Sequence, residues 1–141
     1  MNNGFSHGGR EFKLNKLDAM KQFHIVRRIG PILSELFPAM KEAAQLNADS
    51  KGQGAETNLE QIAKLATPVM MGLSKLSDED SEIVLYGLLG AVEVKQAAGN
   101  WARVASGSLL MMQDLQLPDL LQLAGRSLMF NLGSFFLAAP R

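Results

Sequence analysis

The chain contains no cysteine. That removes disulfides, thiolate metal sites and thiol nucleophiles together, and it fits a reducing compartment. Imidazole is nearly as scarce. His7 and His24 are the only histidines, too few for a metal site built at matched ligand spacing. Net charge is missing too. Fourteen Lys and Arg balance fourteen Asp and Glu, for a formal net charge of +0. A nucleic-acid surface would need a net basic face, so no nucleic-acid partner is expected. The same neutrality leaves little self-repulsion between copies. No apolar run approaches the roughly 18 residues of a membrane span, so no membrane partner is expected. The opening MNNGFSHGGR holds no apolar core and does not read as a signal peptide. No GK[ST] pattern follows its glycines, and Gly107-Ser108 lacks a nucleophile-elbow surrounding. No cofactor and no metal are expected.

What is present reads as globular protein. Apolar residues make up 47% and charged residues 20% of 141 residues, enough to bury one core. The expected organisation is a flexible N-terminus over 1–9 and a single helical domain over 10–141, with a mobile loop near 47–57. That loop, NADSKGQGAE at Asn47 to Glu56, has no periodicity and carries two glycines.

Periodicity places the elements. Phe12 and Leu14 alternate with Glu11, Lys13 and Asn15, as in a short half-buried strand that needs a partner. Asp18 is placed to cap a helix. Met20, Phe23, Val26, Ile29, Leu33, Leu36 and Met40 then form a stripe, which Gly30-Pro31 should interrupt. Thr57 with Glu60, and Ser77 with Asp80, have the spacing of capping boxes. The second helix should carry Leu59, Ile62, Ala66, Val69, Leu73 and Leu76, with Pro68 inside it. The third should carry Ile83, Val84, Leu88, Val92 and Lys95 and stop at Gly99. The stretch 101–112 is ambiguous. Trp101 to Val104 and Leu109 to Met112 suit two short strands around Ser106-Gly107, pairing with Phe12 to Leu14. A helix there is nearly as well supported by its Ala, Leu and Met. Pro118 suits the first turn of a last helix that closes at Gly133. The expected fold class is mostly α: four to five helices, some kinked at Pro, with room for a small antiparallel β element.

No catalytic constellation is visible. Asp78, Glu79, Asp80 and Glu82 cluster, but a helix start stabilised by its dipole accounts for them. Residues suited to contacting a partner are more numerous. Arg27 and Arg28 point about 100° apart on one helix, so at least one should flank the apolar stripe that includes Phe23. Such arginines can anchor a carboxylate. Eight methionines, among them Met111 and Met112, could fill core gaps or line an adaptable surface. Phe130, Phe135 and Phe136 lie at or past the last helix, where left in water they would form a sticky patch. The candidate partner-binding residues are therefore Phe23, Arg27, Arg28, Met111, Met112, Phe130, Phe135 and Phe136.

One pattern carries a resemblance. F-x-L-x-K-L-D-A-x-x-Q-F-H-x-x-R-x-I-x-P-x-L, from Phe12 to Leu33, resembles the tail assembly chaperones of tailed bacteriophages and prophages. So do Trp101, the Leu-Pro-Asp-Leu-Leu entry at Leu117 to Leu121 and the close at Asn131 to Phe136. The resemblance covers most of the chain, least well the loop around Asn47 to Glu56. It implies a helical, non-enzymatic protein of the bacterial host cytoplasm. Such a protein coats the tape measure protein, recruits tail tube protein and leaves before the virion is complete. Near-zero net charge also permits a homo-oligomer along the client. Many such genes yield a longer frameshifted product as well. Two other readings compete: a minor structural tail or virion protein that stays in the particle, and a small enzyme using the cluster at Asp78 to Glu82.

Overall fold

The computed structural model describes residues 4–38, 41, 59–112 and 114–136. The chain opens with a hairpin. Strand β1 (Gly4–His7) and strand β2 (Arg10–Leu14) pair antiparallel, with Phe5 opposite Phe12 and His7 opposite Arg10. The two residues between them are Gly8 and Gly9, at φ 61° and 79°. Positive φ at both central positions marks a turn whose twist matches the strands it joins, and glycine adopts it without strain. Phe5, His7, Phe12 and Leu14 all face inward and are buried.

Strand β3 (Val92–Lys95) pairs with the other edge of β2, placing Val94 opposite Phe12, and strand β4 (Trp101–Arg103) pairs with β3. The sheet order is β1-β2-β3-β4, antiparallel throughout. A second hairpin, β5 (Ala105–Ser106) with β6 (Leu109–Leu110), follows at once.

Four regular α-helices lie among the described residues. Helix α1 (Ala19–Ile29) runs into a 3-10 turn at Gly30–Ile32, and helical backbone continues over 33–38. Proline at the second position of that turn removes an amide donor, which is why the regular ladder breaks here. Helix α2 (Leu59–Leu73) contains Pro68; helix α3 (Asp78–Leu89) and helix α4 (Leu117–Phe136) follow. Helix α4 is the centre of the core. Every residue from 121 to 128 is buried, with α2 its most extensive neighbour and α3 and β2 also against it.

The mostly α expectation is overturned. The fold is mixed α/β, about 57% helical and 19% strand among the described residues. Two segments account for the difference. Val92 falls four residues after Leu88, so it extends a helical stripe on paper. In the structure α3 ends at Leu89, and Val92 and Val94 point into the core from a strand while Lys95 faces solvent. Gly90 sits at the break, where an added Cβ would meet the Tyr86 carbonyl at 3.2 Å and the Ala105 carbonyl at 3.5 Å. Gly99, expected to stop a helix, instead turns β3 into β4 at φ 96°. The second segment is the glycine-rich start, which becomes β1 because Phe5 and His7 have a buried face to fill.

Strands do form at Trp101–Arg103 and Leu109–Leu110, but neither pairs with Phe12 to Leu14, because β3 holds that place. Helix α4 also runs past Gly133 to Phe136. Gly133 is buried there with the Met129 side chain lying where a Cβ would go, so it serves packing rather than termination. The loop expected near 47–57 lies outside the described residues.

Candidate partner-binding surface

Helix α1 is built to show two faces. Asp18 caps it, its Oδ1 accepting the Lys21 amide at 2.8 Å. Ile25 and Ile29 are buried, while Met20 and Phe23 stand out in solvent at 61% and 53% exposure. Arg27 and Arg28 occupy the last turn, where cations favour the negative helix end.

Helix α3 is fixed from its own start. Ser77 Oγ accepts the Asp80 amide at 3.1 Å, and Asp78, Glu79 and Asp80 fill the first turn. Val84, Leu88 and Leu89 face the core. Gly87 lets α1 come close, since a Cβ there would stand 3.2 Å from Ile25 Cδ1. Arg28 then bridges the helices, its Nε donating to Asp80 Oδ1 at 3.0 Å.

Together α1, α3 and the β5–β6 hairpin enclose an open groove of about 470 Å³. Leu17, Ile25, Ile83, Tyr86 and Ala105 give it apolar walls, and the rim carries Lys21, His24, Arg103 and Glu82. The expected α1 stripe through Met20 and Phe23 is not the groove face, and both side chains are exposed. Lys21, His24, Ile25 and Arg28 recur at helical intervals along α1 and line the groove instead. Arg103 was not legible either, because only the strand pairing of 101–106 brings it to this place.

The candidate residues do not converge on one patch. Phe23 is exposed, with its ring 5.5 Å from that of His24. Arg27 is exposed, whereas Arg28 is half-buried and committed to Asp80 and to the His24 carbonyl, 3.0 Å from Nη1. Met111 is exposed; Met112 packs against the core. Phe130 is partly buried, with the Lys16 ammonium 5.1 Å from its ring centre. Phe135 and Phe136 complete the backbone of α4, and their side chains lie outside the described residues. Exposed apolar side chains absent from the candidates include Met70 and Met71 on α2, and Leu109 on β6.

Among the described residues no cluster of His, Asp and Glu could hold a metal ion, and no helix is long and apolar enough to cross a membrane. Of the acidic cluster, Asp78, Glu79 and Asp80 occupy the first turn of α3 behind the Ser77 cap, and Asp80 pairs with Arg28. A polar group that sequence did not reveal is buried beside the first hairpin. His7 Nε2 lies 2.7 Å from Asp119 Oδ1, joining β1 to the first turn of α4. Arg126 stacks its guanidinium 4.0 Å from the Phe5 ring. Burial lowers the Arg126 pKa to about 10, which still leaves it cationic at neutral pH.

The family described as phage tail assembly chaperone protein, TAC, matches over residues 8–140. No curated protein and no solved structure matches the chain.

Proposed function

We propose, because this chain belongs to the phage tail assembly chaperone family, that it binds the tape measure protein and recruits tail tube subunits during tail morphogenesis. It works by lending apolar surface, in the host cytoplasm, without making or breaking a covalent bond, and it departs before the virion is finished. The family match over 8–140 carries this reading. The surface supports it. Met20, Phe23, Met70, Met71 and Leu109 are large apolar side chains left in solvent. Methionine adapts its shape to varied partners, and such side chains grip helices by packing rather than by fixed hydrogen bonds.

Co-expression with a tape measure protein from the same phage tests it. The client should stay soluble and co-purify with the chain. A Met20→Ser, Phe23→Ser double variant should release part of it to the pellet, with circular dichroism unchanged. A client equally soluble with and without the chain ends the proposal. Mass spectrometry of purified virions gives a second check: the chain should be absent, whereas a minor structural protein would remain.

A further inference from the structure

The groove between α1, α3 and β5 has an asymmetry that the chain as a whole lacks. The total formal charge is +0, yet the groove is lined by Lys21, Arg28 and Arg103 against a single carboxylate, Glu82. Arg28 is neutralised by Asp80. Lys21 and Arg103 make no ion pair among the described residues, and both are exposed. The walls below them are apolar. Ile83 remains 36% exposed, and an added Cβ on Gly87 would meet only Ile25. The volume, about 470 Å³, falls within the roughly 300–1,000 Å³ of formed ligand clefts.

We propose that this groove receives an apolar segment of another protein flanked by carboxylates, its apolar side chains seated on Ile25, Ile83 and Tyr86 and its carboxylates on Lys21 and Arg103. The proposal rests on the chaperone reading and adds the chemistry of the client. Charge complementarity selects this occupant. A free phosphate would satisfy the cations and leave the apolar wall wet. A nucleic acid would need a longer basic track with stacking platforms. An apolar segment without acids would leave both cations unmatched, and complementarity of this kind sets specificity and encounter rate.

Two fluorescein-labelled helical peptides test it, sharing one leucine face, the first flanked by Glu and the second by Lys. Fluorescence anisotropy should show the Glu peptide binding about tenfold tighter at low salt, with the gap closing at ~0.5 M salt as the charges are screened. A Lys21→Glu, Arg103→Glu double variant should reverse the preference, and Ile83→Asp should weaken both peptides. Both cations are exposed, so circular dichroism should match the parent chain. Equal affinity for the two peptides, or an unreversed preference in the double variant, overturns the proposal. So does displacement of the Glu peptide by oligothymidylate, which would mark a polyanion site. So does a dimer in sedimentation velocity that dissolves in the double variant, which would make a second copy the occupant. If the peptides show no preference while the co-expressed client stays soluble, the groove assignment falls and the chaperone reading stands. A reversible Glu preference with no effect on the client separates them the other way.

Discussion

Arg28 donates its Nε hydrogen to Asp80 Oδ1 at 3.0 Å, fastening the last turn of α1 to the first turn of α3. Each partner also suits its own helix, a cation at a C-terminus and a carboxylate at an N-terminus. Asp80 is 43% exposed and can return to water, so the pair contributes modestly. Arg28→Ala should cost about 1 kcal/mol, read as a fall of roughly 3–5 °C in melting temperature for a domain of this size. Arg28→Lys should recover only part, since a flexible ammonium cannot reproduce the Nε contact. A melt unchanged in Arg28→Ala would show that the two helices are held by their apolar contacts alone.

Asn131 is a sharper test of how the halves are joined. Its Oδ1 accepts the Leu17 amide at 2.6 Å, and its Nδ2 donates to the Asn15 carbonyl at 3.2 Å and the Ser127 carbonyl at 3.1 Å. One side chain on α4 therefore satisfies the backbone that links β2 to α1, and it is 4% exposed. Removing it leaves a backbone amide without its acceptor. Asn131→Ala should cost on the order of 2–3 kcal/mol, seen as a lower urea midpoint at constant slope. Wild-type stability in that variant would mean that water replaces the amide there.

These two residues also show where sequence was informative. The caps at Asp18 and Ser77, the break at Gly30-Pro31 and the alternation at Phe12 and Leu14 are local chemistry, and each appears where spacing placed it. Local pattern failed where pairing decided the outcome. Val92 continues a helical stripe as well as it fits a strand, and only β2 on one side and β4 on the other resolve it. Gly8-Gly9 between short alternating segments was a readable hairpin signal; the polar, glycine-rich start obscured it. The groove was not legible. The stripe expected on α1 ran through Met20 and Phe23, which are exposed, whereas Ile25, outside that stripe, is buried and lines the groove. Arg103 arrives through sheet topology. The Asn131 contacts span more than a hundred positions and leave no local trace.

Glu35 and Lys75 give a pH dependence of known sign. The Lys75 ammonium lies 3.1 Å from Glu35 Oε2. Its hydrogen bond, then its charge, hold the Glu35 carboxyl below the usual carboxylate value. A carboxyl lowered in the folded state contributes stability that is complete above its unfolded pKa. That contribution is lost as pH falls through the folded value. Carbon-detected NMR titration should therefore place Glu35 lower than a free glutamate, and Lys75→Met should raise it back. An unmoved Glu35 titration in Lys75→Met would assign the shift to another neighbour.

Gln122 is fully buried in α4, and neither its Oε1 nor its Nε2 has a hydrogen-bond partner among the described residues. A buried amide in that position carries a desolvation penalty of about 1–3 kcal/mol. Methionine has nearly the same length and volume without the polar atoms, so the swap disturbs packing little. Gln122→Met should raise stability by ~1 kcal/mol, measured as a higher urea midpoint at unchanged slope. Gln122→Glu should act in the opposite sense, because it places a carboxyl where no partner waits. Loss of stability in Gln122→Met would show that the amide is paired and needed. A stabler Gln122→Met chain that holds its client less well would carry a different meaning. The core around α4 would then have to part during work, and the buried amide would be the feature that keeps that parting cheap.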